Sequence, residues 1–209
     1  MGVSILVCVP GLEGTMKLKT SEALGNAIEY LTAECGDQVE TIKHRYPIGY
    51  SIARARNFMA QWALEAKADY LLMVDSDIIL PQDAIANLLE HREKACIGWY
   101  ARGSDEHRTN IVRLNTAGHG DCYSVRELAS MEYEGPFEVK AGGMGCALIS
   151  TEVFGRFRRP WFEYLDSENG NGTSEDYMFC KKCWEAGVSI MLDPRVGCGH
   201  IKERVLEAR

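Results

Sequence analysis

Apolar residues recur along the first half of the chain in two alternating patterns. Short runs that are apolar throughout, or apolar at every second position, are typical of strands. They predict strands at residues 3–9, 38–44, 70–74 and 95–100. Apolar positions three or four residues apart predict helices at residues 20–34, 51–66 and 81–92. This alternation predicts a parallel α/β sheet with helices on both faces.

The pattern changes after residue 101. Residues 101–121 are polar and rich in turn-forming residues, which predicts a flexible loop or insertion. Residues 122–140 contain short apolar runs, which predict strands that could form a hairpin. The remaining predictions are a strand at 146–150, a short helix from Thr151, a mobile loop at 170–172, a helix at 174–186, a strand at 188–192 and a terminal loop at 197–200.

Composition narrows the class of protein. The chain has 209 residues, of which 46% are hydrophobic and 25% charged, as expected for one globular domain covering residues 1–209. A net charge of -7 argues against a protein whose main function is to bind a nucleic-acid backbone. No basic leader precedes the first apolar run, and no stretch reaches the ~18 apolar residues of a membrane span. We therefore expect a cytoplasmic protein without a membrane span, whose eight cysteines are reduced.

The most specific motif is Asp75-Ser76-Asp77, which follows the strand at 70–74. Ligands of open α/β sheets bind at the carboxyl ends of the strands. Side chains alternate along an extended chain, so Asp75 and Asp77 are expected on one side. Two carboxylates suit Mg²⁺ or Mn²⁺, with phosphate oxygens completing the coordination. A solvated turn after a strand is the alternative interpretation.

Three further motifs carry charged or titratable side chains. Glu175 and Asp176 lie in the first turn of a predicted helix, where they either stabilise the helix dipole or present a general base. His200 follows glycines after the last predicted strand, and is either a third metal ligand or a satisfied surface residue. Arg54 and Arg56 lie near a helix start, where a phosphate can bind. Because they are two residues apart, we expect only one of them to face a ligand, and a solvated helix face is the alternative for the pair.

The order of these motifs resembles the GT-A glycosyltransferases, especially family-2-like and polypeptide N-acetylgalactosaminyltransferase-like members. The segment ARARNFMAQWALEAKADYLLMVDSDI also looks like the fungal mannan-polymerase mannosyltransferases. The glycine-rich strand AGGMGCALIS, the aromatic segment RPWFEY, an E-D helix and a closing histidine follow in the same order. The resemblance covers roughly residues 3–201. It implies a GT-A-like α/β fold with a mixed central sheet, and metal-dependent transfer of a sugar from a UDP- or GDP-sugar with Mn²⁺ or Mg²⁺ as cofactor.

The resemblance also implies roles for individual residues. Asp75, Asp77 and His200 would bind the metal, Asp176 would be the base of an inverting enzyme, and Glu175 its neighbour or an acceptor ligand. Residues implied around the nucleotide-sugar donor are Pro10, Gly11, Glu13, Arg54, Arg56, Asn57, Asp75, Ser76, Gly142, Gly143 and Met144. Trp161 and Phe162 would form a stacking platform for the acceptor, although a core position is equally compatible with the sequence. The first loop departs from the family, because it has Gly11-Leu12-Glu13-Gly14 where a polar run is usual.

Other interpretations stay open at this point. Cys180, Cys183, Cys198 and His200 have the ligand types of a small zinc-binding module. A nucleotidyltransferase also uses a carboxylate pair on an α/β sheet, and a non-catalytic sugar-binding protein is a third option. The sequence does not identify the acceptor, which could be a saccharide, a protein, a lipid or a modified nucleobase.

Overall fold

The computed structural model describes residues 2–11, 15–102, 105–113, 120–166 and 172–202, with only the backbone of 105 and 106. The strands are β1 (Val3–Cys8), β2 (Val39–Arg45), β3 (Tyr70–Val74), β4 (Ile78–Ile79), β5 (Ala95–Trp99), β6 (Ala101–Arg102), β7 (Asp105–Val112), β8 (Cys122–Ser124), β9 (Phe137–Val139), β10 (Cys146–Ser150), β11 (Ile190–Gly197) and β12 (Gly199–His200). The α-helices are α1 (Leu18–Cys35), α2 (Ile52–Glu65), α3 (Ala84–Glu90), α4 (Val125–Ala129) and α5 (Glu175–Glu185), and short 3₁₀ helices cover Gly36–Gln38 and Thr151–Gly155.

Seven strands form the central sheet, in the order β2-β1-β3-β10-β5-β11-β9. β1 is parallel to β2 and β3, and β11 is parallel to β5. β10 is antiparallel to both β3 and β5, and β9 is antiparallel to β11. The mixed central sheet flanked by helices, as predicted, is therefore confirmed.

Alternating side chains of the strands build two hydrophobic clusters on opposite faces of the sheet. Leu6 and Cys8 of β1 belong to one cluster, together with apolar residues of α2 and α5. Ile5 and Val7 belong to the other cluster, together with α1 and α3. The helical spacing of the apolar residues in the sequence thus corresponds to the faces that cover the sheet.

Three predictions for the second half are wrong. Residues 101–121 are not simply a loop, because β6 and β7 lie within them and pair with each other. Residues 122–140 form no hairpin of their own, since β8 pairs with β7 while β9 joins the central sheet beside β11. The predicted terminal loop at 197–200 contains β12, which pairs with β4. In all three cases the strands depend on pairing partners elsewhere in the chain, and the local sequence pattern does not identify those partners.

The topology gathers several loops at one edge of the sheet. The carboxyl ends of the parallel strands β1, β3 and β5 meet there, and so does the amino end of the antiparallel β10. The residues that follow β3 and those that precede β10 are in direct contact, since the amide of Asp75 donates to the carbonyl of Gly145 at 2.9 Å. This edge carries most of the residues predicted to be functional.

Candidate active site

A buried arginine, Arg56, lies at the centre of an acidic cluster on this edge. It is only 3% exposed, although most arginines lie at the surface. Its Nη2 donates to both carboxylate oxygens of Asp75 at 3.1 Å, and its Nη1 donates to Glu175. Asp176 Oδ2 lies 4.0 Å from Nη1. One cation therefore connects the carboxyl end of β3 to the first turn of α5.

Burial and the neighbouring charges shift the pKa values of Arg56 and Glu175. Burial opposes the charge on Arg56, but Asp75, Glu175 and Asp176 outweigh it and raise the pKa of Arg56, which stays cationic. Burial raises the pKa of Glu175, with the negative charges nearby adding to burial and Arg56 opposing it. Three carboxyl groups share one guanidinium, and Glu175 is the most deeply buried of the three. The pairing thus keeps the charge of Arg56 fixed between two elements that are distant in sequence.

Only one of the two predicted arginines faces this cluster. Arg54 is exposed and its guanidinium lies over the rings of Tyr50 and Phe58, at 5.1 and 5.6 Å from their centroids. Arg56, two positions later on α2, points instead towards β3. Of the two arginines, Arg56 therefore contacts the acidic cluster, whereas Arg54 contacts aromatic side chains.

Asp176 is the partly exposed carboxylate of the pair at the start of α5. Its Oδ1 accepts from the Ser174 hydroxyl and from the amide of Tyr177 at 2.8 Å. Its side chain is 19% exposed, whereas that of Glu175 is 7% exposed. Of the two, Asp176 is therefore the one that a molecule from solvent can contact.

A second pair, Asp77 and His200, lies beside the first cluster. His200 Nδ1 is 2.7 Å from the carbonyl oxygen of Ala101, and a carbonyl only accepts, so Nδ1 carries a proton. His200 Nε2 lies 3.2 Å from Asp77 Oδ2, and Lys202 Nζ lies 3.2 Å from the same oxygen. Burial works against ionisation of Asp77, but the hydrogen bonds from His200 and Lys202 prevail and lower the pKa of Asp77. Asp77 is thus held as a carboxylate beside a ring whose two nitrogens both donate, Nδ1 to Ala101 and Nε2 to Asp77.

The Arg56 cluster and the pair of Asp77 and His200 do not form the three-ligand metal site that the resemblance implies. Within the described ranges, no group of three His, Cys, Asp or Glu side chains is placed to hold a metal ion. Asp77 and His200 are together, but both oxygens of Asp75 are engaged by Arg56. A carboxylate oxygen and an imidazole nitrogen fit Mn²⁺ or Mg²⁺ as two ligands. To bind a metal, His200 Nε2 would give up the proton that it donates to Asp77, while Nδ1 keeps the proton that it donates to Ala101.

The glycine-rich segment before β10 packs against Tyr100, at the end of β5. The amide of Gly145 donates to the Tyr100 hydroxyl at 3.3 Å. A side chain at Gly143 would collide with that hydroxyl, and one at Gly145 would reach 3.0 Å from Asp75 Oδ2. Burial raises the pKa of Tyr100 far above its ordinary value, so its hydroxyl stays protonated. The glycines therefore allow this strand end to approach Asp75 closely.

Two other residues of this segment are packed into the core. Met144 has no exposed surface, and a side chain at Gly142 would overlap Ile97. The contact with the nucleotide-sugar donor that the resemblance implies for Met144 therefore cannot use its side chain.

The stacking platform predicted from Trp161 and Phe162 does not form. Both side chains are buried, at 5% and 1% exposure. Phe162 stacks on Phe179 with the ring centroids 4.4 Å apart, and Trp161 Nε1 donates to the carbonyl of Phe154 at 2.9 Å. These aromatic residues belong to the core because α5 covers them.

Asn57 holds this aromatic segment instead of pointing into an open cleft. Its Nδ2 donates to the carbonyls of Ala53 and Phe162 at 2.7 and 2.6 Å. Its Oδ1 accepts from the amides of Trp161 and Phe162 at 2.8 and 3.3 Å. All the hydrogen-bonding groups of the side chain are used. The contact of Asn57 with a nucleotide-sugar donor, which the resemblance implies, therefore has no support in this geometry.

We expect Asn57→Ala to lower the free energy of unfolding by about 1–3 kcal/mol, because the partly buried backbone groups of residues 161 and 162 lose their partners. Urea unfolding measures this change. Gln61→Ala, one turn later on α2, is the matched control, since the hydrogen bonds of Gln61 are exposed. Equal losses in the two variants would contradict the role assigned to Asn57.

A cleft of about 380 Å³ opens between the first loop and the residues that follow β3. Pro10, Gly11 and the segment 75–77 line one part of it, and residues 50–52, where α2 begins, line the other. The amide of Gly11 donates to the carbonyl of Pro47 at 3.1 Å, which fixes the loop against the chain before α2. Glu13, which the resemblance implies at the donor, lies outside the described residues.

The zinc-binding alternative is wrong. Cys180 and Cys183 belong to the hydrophobic cluster under α5, whereas Cys198 belongs to the cluster on the opposite face of the sheet. Burial raises the pKa of Cys180 to about 12, although a thiolate is the form that binds zinc. All eight cysteines lie in the described residues, and each has a free thiol.

Two residues of the site were not found by sequence reasoning. Tyr100 follows β5, and its position at the carboxyl end of a parallel strand is the signal that could have identified it. Lys202 lies two residues after His200, but a single lysine near the end of a chain carries no specific pattern.

Comparison with known proteins shows the fold. No protein-family model matches the sequence, and no curated protein sequence matches it. The structure of A197 from STIV superimposes with a TM-score of 0.61 at 16% identity, covering 97% of this chain and 87% of that chain. The structure of GalNAc-T7 with UDP, GalNAc and Mn²⁺ has a TM-score of 0.57 at 12% identity. The superposition with GalNAc-T7 covers 96% of this chain and 44% of that chain.

In the described part of the chain, no helix combines the length and the apolar character that crossing a bilayer requires.

Proposed function

We propose that this chain is a single GT-A-like catalytic domain that transfers a sugar from a UDP- or GDP-sugar to an acceptor hydroxyl, with Mn²⁺ or Mg²⁺ as cofactor. The observation that carries the proposal is the meeting of Asp75, Asp77, Asp176 and His200 at one sheet edge, beside an open cleft. The fold shared with GalNAc-T7, which was solved with UDP, GalNAc and Mn²⁺, supports it.

The donor would bind in the cleft between Gly11 and Ser76. The amino end of α2 lines this cleft, and the amides at a helix start favour the phosphate groups of a nucleoside diphosphate. Asp77 and His200 would hold the metal, which supplies positive charge to the leaving diphosphate. Arg56 donates to both oxygens of Asp75 and fixes the orientation of this carboxylate at the rim.

Asp176 is the group we assign as general base. Its Oδ1 is occupied by Ser174 and Tyr177, which leaves Oδ2 to accept a proton. In an inverting transfer, the acceptor oxygen gives its proton to Asp176 as it bonds to the anomeric carbon, and the bond from that carbon to the diphosphate oxygen breaks. The buried Glu175 then acts through Arg56, as a positioning residue.

The first experiment is a screen of UDP- and GDP-sugars for hydrolysis and for thermal stabilisation of the protein, with and without Mn²⁺. Nucleoside diphosphate is the expected product, whereas pyrophosphate would indicate a nucleotidyltransferase.

We expect Asp77→Ala to abolish metal-dependent turnover, because the metal loses a charged ligand. The control is Asp37→Ala, which removes an exposed carboxylate. Full activity of Asp77→Ala, or undiminished wild-type activity in excess chelator, would refute the metal assignment.

A related prediction concerns His200. Replacing it with alanine removes a neutral nitrogen ligand, so we expect a higher Mn²⁺ concentration at half-maximal activity, by about tenfold or more. A Mn²⁺ titration of turnover measures this shift. His44→Ala, which changes an exposed histidine on β2, is the control and should give the wild-type titration. An unchanged titration for His200→Ala would mean that His200 only packs the site.

A further inference from the structure

A cavity of about 560 Å³ lies beside the proposed catalytic edge, on the outer side of α5. This volume is within the range of about 300–1,000 Å³ that is typical of small-molecule sites. Tyr177, Lys181 and Trp184 line one wall. Their spacing of four and three residues places them on one face of the helix. The opposite face of α5 packs into the core, so this row of side chains is directed outwards.

The chemistry of the cavity is apolar with a cationic rim. Trp184 is 68% exposed, which is unusual for a side chain of this size and leaves an aromatic face open to a ligand. Arg102, Lys140 and Lys181 also line the cavity, and none of the described side chains around it is acidic. Glu185 lies 3.8 Å from Lys181 on the exposed helix surface. Three cations around one cavity are a marked local excess in a chain of net charge -7.

One wall of the cavity is formed by a neighbour of the residue assigned as base. Tyr177, which lines it, directly follows Asp176, and the Tyr177 amide donates to Asp176 Oδ1 at 2.8 Å. The Tyr177 hydroxyl donates to the carbonyl of Asn110 at 3.2 Å, which fixes the ring. Thr173, just before α5, lines the cavity as well. A molecule bound there therefore lies next to the turn that carries Asp176.

We propose that this cavity binds the acceptor, and that the acceptor is a small amphiphilic anion that carries a hydroxyl group. Its apolar or aromatic part packs on Trp184 and Tyr177, and its anionic group is held by Arg102, Lys140 and Lys181. The role of acceptor rests on the proposed glycosyl transfer. The binding of an amphiphilic anion in this cavity does not depend on it. Neither a neutral oligosaccharide nor a polyanionic nucleic acid matches an apolar cavity with a few cations.

The test uses the fluorescence of 8-anilinonaphthalene-1-sulfonate, an aromatic anion, titrated onto the folded protein without any sugar donor. The neutral N-phenyl-1-naphthylamine is the comparison probe. We expect Trp184→Ser to raise the dissociation constant of the sulfonate by about tenfold, since an aromatic anchor is lost. The double variant Lys140→Gln with Lys181→Gln should raise it by about fivefold and leave the neutral probe unaffected. The control is Lys19→Gln with Lys94→Gln, which removes two exposed lysines that do not line the cavity.

The outcomes separate the two proposals. Unchanged sulfonate binding in Trp184→Ser would overturn the cavity as the binding site. Equal losses in the two double-lysine variants, or equal affinity for the two probes, would overturn the choice of an anion. Circular dichroism of every variant excludes binding of the dye to unfolded chains. If the sulfonate binds as expected while the screen finds no nucleotide-sugar turnover, the glycosyl-transfer proposal fails and the anion site stands.

Discussion

Replacing Arg56 with methionine is expected to lower the free energy of unfolding by about 3–5 kcal/mol, because a buried ion pair then loses its cation. Asp75, Glu175 and Asp176 all face this guanidinium, and Glu175 is nearly buried. Its removal leaves the carboxylate of Glu175 without the guanidinium in a region of low polarity. Urea unfolding followed by circular dichroism measures the loss.

Arg54→Met is the matched control for this prediction. It changes the same residue type on the same helix, but Arg54 is exposed and rests on Tyr50 and Phe58. Its loss should cost no more than about 0.5–1 kcal/mol. Adding Glu175→Gln to Arg56→Met should recover part of the stability, because the unpaired charge is removed. Similar losses for Arg56→Met and Arg54→Met, or no recovery in the double variant, would contradict the assignment of Arg56 as the centre of the cluster.

Replacing Asp176 with asparagine is expected to lower turnover by about 10²–10⁴-fold, while the affinity for the nucleotide-sugar stays near that of the wild type. The reason is that asparagine keeps the shape and the contacts of Oδ1 but cannot accept a proton at Oδ2. Single-turnover rates and donor binding, measured separately, give the two quantities. The anomeric configuration of the product, read by NMR, shows whether the enzyme inverts.

A helix-dipole role for Asp176 gives a different result. In that case Asp176→Asn would cost about 0.3–1 kcal/mol of stability and leave turnover unchanged. Glu185→Gln, at the other end of α5, removes an exposed carboxylate from the same helix and should affect neither turnover nor donor binding. Turnover of Asp176→Asn close to that of the wild type would mean that the base is another group.

Much of the fold follows from local sequence pattern. The apolar run at 70–74 gives β3 with its predicted bounds, since a continuous apolar stretch of this length is stable only when both faces are covered. The helix predicted at 174–186 is α5 within a residue at each end, because its apolar residues repeat with the helical period. Ligands of such sheets bind at the carboxyl ends of the parallel strands, which is why the sequence alone could place Asp75 and Asp77 at a candidate binding edge.

Strand pairing is the part of the fold that the pattern did not contain. Residues 105–112 are polar over most of their length, yet they form β7, because β6 and β8 supply hydrogen-bonding partners on both sides. β9 joins the central sheet beside β11, far along the chain. Polar and short strands have little side-chain signal of their own, so their positions depend on neighbours that only the folded chain brings close.

The candidate site, like the fold, depends partly on the sequence pattern and partly on tertiary packing. The sequence by itself determined which chemistry is present: a carboxylate pair after β3, an acidic helix start, a histidine near the end and an arginine on α2. The tertiary structure alone decided the partners, directing Arg56 to Asp75 and Glu175 while Asp77 meets His200. It also buried Trp161 and separated Cys183 from Cys198 by the sheet. The physical reason is that residue types and spacing fix the groups on each element, whereas burial and pairing depend on how distant elements pack.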